Sequence, residues 1–295
     1  MRDWDEHRLI LAIERGGTLR AAADRLGVTH TTVSRRLAAL EAGSPSPVFR
    51  RSGRSYVLTD HGRERVAIAE QIERLDHAAL RLGRGSEGSL SGPLSLSAPR
   101  AFLHSAGLLK DLAAFRDAHP GIELTVVGSD SLADLDRGQA DVALRGQIGP
   151  DPHLVGRLVS PVGLQYYGRR DYLESTPPER YGWIAAPAAR DATGSGTLDW
   201  LAQSPYPDAP VTLAVGDIIS RYRAVADGLG LGRLACFMAE TDPELVPIGE
   251  SPPVPFYDLW ILTHPDLRNA PKVRALSQWL WDALAPRRAS LAGRR

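Results

Sequence analysis

The feature that most constrains this chain is the stretch LRAAADRLGVTHTTVSRR at residues 19–36. Small apolar residues come first, and Gly27 then adopts at low steric cost the conformation that ends a helix. Thr29 is a good N-cap for a second helix. Apolar residues then recur at helical spacing, namely Val33, Leu37 and Leu40. The stretch therefore predicts two short helices joined by a tight turn and packed on a shared core.

The second of these helices keeps a polar outer face. Its members are Thr29, His30, Thr31, Thr32, Ser34 and Arg35. A helix-turn-helix protein presents such side chains to the major groove of DNA. The alternative is a three-helix bundle with a solvated polar face. We favour DNA binding, and the residues that follow strengthen this interpretation.

Residues 48–59 are typical of a two-stranded wing. Apolar residues at 48–49 and 56–58 flank a turn-rich centre, which places three arginines at the tip: Arg50, Arg51 and Arg54. Arginines there suit contact with phosphates or the minor groove. Residues 1–62 hold ten arginines and seven acidic residues, although the whole chain has a net charge of +0. A positive excess on this segment fits local DNA binding.

Residues 4–62 resemble the winged helix-turn-helix domain of LysR-type transcriptional regulators. The matching pieces are AAADRLGVTHTTVSRRLAALE and VFRRSGRSYVLTDHG. The resemblance implies that the second helix reads bases through the residues from Thr29 to Arg35 named above, and that the three wing arginines touch the DNA backbone. His30 and Thr31 stand where the family usually has Gln-Pro or Gln-Ser, a departure that bears on base preference.

Residues 60–84 contain no proline and predict one long helix. Five apolar residues form a heptad seam along it: Ile68, Ile72, Leu75, Ala79 and Leu82. Such a seam suits pairing with the same helix of a second copy. The alternative is that the helix packs against the rest of its own chain. A glycine-rich hinge follows. We therefore expect a DNA-binding domain at 1–62, a dimerisation helix and hinge at 63–91, and a third region at 92–295.

Strand and helix patterns alternate beyond residue 92, which predicts an α/β domain with parallel sheets. The expected strands are 94–98, 122–127, 141–144, 162–167, 183–185, 212–215 and 257–263. The expected helices are 103–119, 132–137, 197–202, 218–228 and 271–284. Ligands bind such sheets beyond the carboxyl ends of their strands.

Residues 92–290 resemble the effector-binding domain of the same family, which has a periplasmic-binding-protein-like (type 2) fold. The matching stretches include FRDAHPGIELTVV, GQADVALR, AVADGLGLGRLACFMAE and LWILTHPDLRNAPKVRALSQWL. The resemblance implies two lobes, 92–161 plus 260–290 and 162–259, with a ligand between them. The chain would cross near 160–163 and return near 259–263. Ala235 stands where the family has Pro, and Gly232-Arg233 is expected to loosen or polarise a turn.

Strand ends supply the candidates for the effector cleft. They are Arg100, Ala101, Ser129, Arg145, Thr193 and Asp217, with Pro99, Asp130, Gly194 and Ser195 beside them. Arg100 and Arg145 could clamp a carboxylate through bidentate hydrogen bonds. The alternative is that these are ordinary loop residues exposed to solvent.

Other classes of protein lack sequence support. The chain has no HExxH, P-loop, GxSxG or CxxC motif, so we expect no enzymatic activity and neither a metal nor a cofactor. The single cysteine, Cys236, lies among apolar residues and suits a reducing compartment. No signal peptide or membrane span is evident, which predicts a cytoplasmic protein without a membrane partner.

The sequence therefore predicts an effector-responsive transcriptional regulator. Its expected partners are double-stranded promoter DNA, an unknown small molecule such as an organic acid or an aromatic compound, a second copy through the linker helix, further copies in a homotetramer, and RNA polymerase. One alternative is a solute-binding protein or binding-fold enzyme without a DNA role. Another is a DNA-binding protein that does not respond to small molecules.

Overall fold

The computed structural model describes residues 4–86, 90–129, 135, 138–149, 152–187 and 199–294. The chain divides into two compact units, Met1–Gly83 and Arg84–Arg295. Each unit has a buried apolar core of its own.

The first unit consists of helices and one hairpin. In chain order its elements are α1 (Trp4–Gly16), α2 (Leu19–Leu26), α3 (His30–Ala42), β1 (Phe49–Ser52), β2 (Ser55–Leu58) and α4 (Asp60–Ser86). The core joins apolar faces of α1, α2 and α3 to the start of the hairpin, and includes Leu9, Ile13, Ala22, Val33, Leu37, Leu40, Val48 and Phe49. The predicted pair of short helices is confirmed.

The turn between α2 and α3 has the predicted chemistry. Gly27 ends α2 with a φ of 64°, in the left-handed region that favours glycine. The Thr29 hydroxyl accepts a hydrogen bond from the Thr32 amide at 3.3 Å and caps α3. The position and direction of α3 thus follow from residues visible in the sequence.

Helix α4 begins with a cap and packs one face on α1 and the hairpin. The Thr59 hydroxyl accepts from the Gly62 amide at 2.9 Å. Arg65 and Ala69 are buried further along the same face. Next on this face, Glu73 receives two hydrogen bonds from the Arg15 guanidinium, at 2.8 and 2.6 Å. The first half of α4 is therefore fixed to the core of the first unit.

The predicted heptad seam lies on a different face of α4. Ile68 is 47% exposed and Leu75 is 70% exposed. Ala79 is exposed and Ile72 is half-buried, whereas the side chain of Leu82 is outside the described part. The buried face and the apolar seam of α4 are thus distinct, and Ile68, Leu75 and Ala79 of the seam are accessible.

The second unit alternates strands with helices. Its strands are β3 (Gly92–Ala98), β4 (Ile122–Gly128), β5 (Val142–Gln147), β6 (Val155–Arg169), β7 (Trp183–Ala185), β8 (Val211–Ala214), β9 (Leu231–Ala235), β10 (Leu245–Pro247) and β11 (Val254–Thr263). Its helices are α5 (Arg100–Ser105), α6 (Leu108–Ala118), α7 (Arg170–Ser175), α8 (Asp199–Ala202), α9 (Ile218–Ala226), α10 (Cys236–Ala239), α11 (Pro271–Leu284) and α12 (Arg288–Ala292).

Over the described residues these strands form a nine-stranded mixed sheet in the order β4-β3-β5-β11-β6-β9-β7-β8, with β10 beside β6. The pairs β3–β4, β3–β5, β7–β8 and β7–β9 are parallel. Strands β6 and β11 are antiparallel to their neighbours and join the two parallel groups. The expectation of parallel sheets is therefore wrong for the centre, where the two long crossing strands run antiparallel to each other and to their outer neighbours.

Two further expectations need correction, and one cannot be compared. The helix predicted at 103–119 is two helices, α5 and α6, because Gly107 adopts a φ of 70° between them. Gly232 and Arg233 lie inside strand β9 and not in a turn. An added side chain at Gly232 would collide with Val225 of α9, so glycine allows this helix to approach the strand. The helix predicted at 132–137 lies largely outside the described residues.

Candidate DNA-binding surface and effector cleft

The outer face of α3 carries the predicted base-reading residues. Because Val33, Leu37 and Leu40 are buried, the side chains between them point away from the core. Thr32 is half-buried, and the exposed members of the predicted set are Thr29, His30, Thr31, Ser34 and Arg35. Thr29 is occupied as the helix cap, and its hydroxyl also lies 2.9 Å from those of Thr31 and Thr32.

Arg35 is the best-placed cation on this face. It is exposed, and no hydrogen bond or ion pair joins it to any residue in the described part of the chain. The neighbouring Arg36 lies 4.0 Å from the Asp5 carboxylate, at the limit of an ion pair. A guanidinium that has no protein partner remains available to hydrogen-bond a base edge or a phosphate.

The wing differs from its prediction in the placement of its arginines. Gly53 and Arg54 form a two-residue turn in which only Gly53 has a positive φ, 61°, as a type II′ turn requires. Arg54 thus lies at the tip. Arg50 and Arg51 lie on strand β1 and, as consecutive strand residues, point to opposite faces of the ribbon. The Arg51 guanidinium still reaches the turn, where it donates to the Gly53 carbonyl at 3.1 Å, so the expectation that all three arginines meet at the tip is wrong for Arg50.

Side chains outside the predicted site hold the wing against α3. The Glu41 carboxylate, near the end of α3, accepts hydrogen bonds from the amides of Val48 and Phe49, each at 2.9 Å. The Thr59 hydroxyl donates to the Pro47 carbonyl at 2.6 Å. Sequence analysis missed the role of Glu41, because no periodic pattern connects a carboxylate with amides seven and eight residues away.

In the second unit, Arg100 and Ser129 lie at the ends of two neighbouring strands, Arg100 after β3 and Ser129 after β4. Ser129 follows β4, and its amide donates to the Ala98 carbonyl of β3 at 3.0 Å. A Cβ at Gly128 would lie 3.2 Å from Cγ of Arg100, so the arginine side chain lies over this glycine. The adjacent Ala101 is buried and contributes to the core.

Arg145 has a different setting from the one predicted. Strand β5 continues to Gln147, so Arg145 lies within the strand and not after it. It is 7% exposed and faces Trp260 of β11 across the sheet. Arg145 also has polar or electrostatic partners of its own. Its role in a clamp with Arg100 remains a prediction.

Asp217 acts as a helix cap in this structure. Its carboxylate accepts a hydrogen bond from the Ser220 amide at 2.8 Å and caps α9. Hydrogen bonds from Ser220 hold the pKa of this carboxyl below its usual value. Thr193, Gly194 and Ser195 lie outside the described residues.

Helices of the two predicted lobes meet through aromatic contacts. Phe102 of α5 stacks on Phe237 of α10, with ring centroids 4.3 Å apart. His104 of α5 makes an edge contact with Tyr222 of α9. These helices therefore pack on one another within one continuous core, and a ligand cleft between the predicted lobes remains a prediction.

Tyr257 is a cleft candidate that sequence analysis missed. Its ring covers Gly146, where a Cβ would lie 2.5 Å from a ring carbon. Gly146 is near the carboxyl end of β5, directly after Arg145. Glycine inside a strand often marks a close approach of another group, and this was the available signal.

The described residues show neither a metal-binding cluster nor a membrane-spanning helix. They contain no group of three or more His, Cys, Asp or Glu side chains that could hold a metal ion. Among them no helix is both long and apolar enough to cross a membrane.

A winged helix-turn-helix unit followed by an α/β unit is the architecture of a class of bacterial regulators. Residues 4–63 match the bacterial regulatory helix-turn-helix protein family of the lysR type, and residues 87–285 match the LysR substrate binding domain. These matches cover most of the chain. The chain belongs to the LysR family.

Similar proteins agree with this assignment. A transcriptional regulator of Xanthomonas campestris is 29% identical over 61% of this chain and 51% of its own length. The transcriptional regulator TrpI of Pseudomonas aeruginosa is 27% identical over 94% of this chain and 96% of its own length. The chain spans only about half the length of the first curated relatives that it matches. These relatives are named as regulators of transcription and not as enzymes.

Solved structures show the same fold. Full-length OxyR of Pseudomonas aeruginosa is 18% identical, with a TM-score of 0.55 over 97% of this chain and 98% of OxyR. AphB of Vibrio cholerae is 20% identical, with a TM-score of 0.56 over 97% of this chain and 100% of AphB. The predicted fold class, a winged helix-turn-helix domain with an α/β domain, is confirmed.

Proposed function

We propose that this protein regulates transcription by binding promoter DNA sequence-specifically through α3 and by responding to a small molecule held between the lobes of the second unit. The observation that carries the proposal is the outer face of α3, where exposed Arg35 has no partner among the described residues. The opposite face is buried in the core, so the helix can enter the major groove without unfolding.

The wing supports the same function. Arg54 at its tip and Arg50 on its outer strand can contact phosphates, which position a protein on DNA without specifying sequence. Glu41 holds the wing to α3, so both would dock together. Solved full-length CbnR with its target DNA has this fold at 14% identity and a TM-score of 0.58, over 96% of this chain and 100% of CbnR.

We further propose that two copies pair through the seam of α4. Ile68 and Leu75 lie apolar and exposed on a face that the helix's own body leaves free. The two DNA-binding domains of such a dimer would read an imperfect palindrome with half-sites in successive major grooves. A homotetramer and contact with RNA polymerase are extensions of this proposal, and such a protein works in the cytoplasm, where bacterial promoter DNA lies.

The proposed effector is a small organic acid or an aromatic compound between the lobes. Arg100 beside Ser129 offers a cation at the strand ends, and Tyr257 over Gly146 offers an aromatic wall. A ligand can shift the arrangement of the heads only if its affinity differs between the two arrangements. A thermal shift of the second unit with candidate acids tests this part separately from DNA binding.

The decisive experiment measures binding of the purified protein to DNA from the region upstream of its own gene. Scrambled DNA of equal length serves as the control, and both are titrated across a salt series. Tight binding that prefers the native region supports the proposal. Equal and strongly salt-dependent binding to both DNAs would show that the DNA-binding domain contacts only phosphates in this upstream region. Absence of binding at low salt would contradict the DNA role and favour a solute-binding protein or enzyme.

A further inference from the structure

The second unit carries a groove that is separate from the predicted effector cleft. It has a volume of about 740 Å³ and lies between one face of α11 and the strand ends at 155–157 and 261–263. Its apolar floor is formed by accessible side chains, namely exposed Leu90 and half-buried Val155, Pro271 and Ala275. Cavities of roughly 300–1,000 Å³ are the usual size of small-molecule sites.

Three arginines line this groove: Arg157 from β6, Arg268 before α11 and Arg274 on α11. All three are exposed, and none forms an ion pair with a residue that the structure describes. No acidic side chain lines the groove among those residues. Two carboxylates on the neighbouring segments have other partners, since Asp266 lies 3.2 Å from the His264 ring and Asp282 accepts from Gln278.

Local contacts hold one of these arginines in place. The Arg157 guanidinium donates to the Gln278 side-chain carbonyl at 3.0 Å and lies 5.2 Å from the ring centre of Trp281. Both contacts leave guanidinium N–H groups unused. In addition, α11 begins at Pro271 without a side-chain cap, so amides of its first turn add positive potential at the same end of the groove.

We infer that this groove binds a small organic anion, with its acidic group on Arg268 and Arg274 and an apolar body on the floor. The three arginines face no acidic side chain among the described lining residues, and arginine binds carboxylate, sulfonate or phosphate through parallel hydrogen bonds. The floor excludes water from one side of the ligand, which favours an acid with an aliphatic or aromatic body over a bare inorganic anion.

The site also adjoins the start of the second unit. Leu90, 48% exposed, lines one end of the groove and follows the last residue of α4 by only four positions. A ligand that packs on Leu90 would restrain the chain where it enters this unit. The site is therefore suited to a second input, independent of the ligand between the lobes.

The test compares two fluorescent probes on the full-length protein. Anilinonaphthalene sulfonate carries the anion and the apolar rings, whereas N-phenylnaphthylamine carries only the rings. We expect the sulfonate to bind wild type at least 10-fold more tightly than the neutral probe. The double variant Arg268→Glu, Arg274→Glu should lose this preference, and Arg268→Gln with Arg274→Gln should lose part of it. The matched control is Arg170→Glu with Arg180→Glu, which makes the same charge change at exposed positions outside the groove.

Hydrogen exchange locates the probe. The proposal expects slower exchange at 155–157 and 261–278 when the sulfonate binds, with circular dichroism of all variants unchanged. Wild-type affinity in the Glu double variant, an equal loss in the control, or protection confined to residues between the lobes would each overturn it. DNA affinity is measured on the same proteins. If it falls in parallel with probe binding in the double variant alone, the groove contacts DNA instead, and the small-anion proposal is wrong.

Discussion

The predicted base-reading face of α3 and the predicted cleft residues at the strand ends of the second unit differ in how many of their side chains are exposed. On α3, His30, Ser34 and Arg35 are exposed and available. At the strand ends, Arg145 is buried within a strand and Asp217 caps a helix. Helical periodicity identifies which side chains face solvent, whereas the end of a strand identifies only an edge of the sheet.

Substitution of Arg145 tests most directly whether this side chain is structural or binds a ligand. If its role is structural, Arg145→Ala should lower the free energy of unfolding of the second unit by about 2–4 kcal/mol, because the partners of a buried charge are left uncompensated. Chemical denaturation monitored by tryptophan fluorescence measures this. DNA affinity of the folded variant should stay at the wild-type level. Unchanged stability with a lost effector response would instead make Arg145 a ligand-binding residue.

Substitution of Arg35 on α3 should lower DNA affinity and leave the stability of the protein unchanged. Arg35→Ala should weaken binding to the specific site by about 1–3 kcal/mol if the side chain reads a base, with no effect on thermal stability. Arg36→Ala, one position along and near Asp5, is the matched control. Fluorescence anisotropy with specific and random DNA measures both. An equal loss on the two DNAs would assign Arg35 to a phosphate.

Glu41 tests whether the wing depends on α3 for its position. Glu41→Ala removes the acceptor of the Val48 and Phe49 amides and should cost about 1–2 kcal/mol of stability in the first unit. Glu41→Gln keeps one acceptor oxygen and should cost less. Hydrogen exchange at residues 48–49 should accelerate in the order wild type, Gln, Ala. The same exchange rate in all three proteins would show that the wing is held by its apolar contacts alone.

Asp217 should give the smallest effect. Asp217→Ala removes the cap of α9 and should cost about 1 kcal/mol, whereas Asp217→Asn retains most of it. Because the folded pKa lies below the ordinary value of 3.8, the cap stabilises at pH values above 3.8. This contribution is lost as the pH falls through the folded pKa. Thermal melts at pH 7 and pH 3 should therefore differ less for Asp217→Ala than for wild type, and an equal difference would contradict the cap.

The elements that sequence predicted well are those with local signals. Strand β7 and helix α11 have the predicted bounds, and the cap at Thr29 follows from a single residue type in the right place. The split between α5 and α6 was missed because Gly107 sits within an otherwise continuous helical pattern. The sheet order and the crossing strands depend on pairings between distant residues, which no local pattern reports.

Within the candidate sites the same limit holds. The arginines of the wing were recognised, but their distribution over two faces required the strand register. Arg15 and Glu73 are 58 residues apart, and nothing in the sequence connects them. The groove beside α11 combines side chains from three separate segments, so it became visible only in three dimensions.

The two hydrogen bonds between Arg15 and Glu73 attach α4 to α1, so that α4 follows the orientation of the first unit. A helix of 27 residues is roughly 40 Å long at 1.5 Å per residue. This is close to the roughly 34–36 Å that separates successive half-sites on one side of DNA. With its first half fixed to the core, a tilt of roughly 10° at one end moves the other by roughly 7 Å, about two base pairs along the duplex. Helix α4 therefore extends any angular change of the first unit over its whole length.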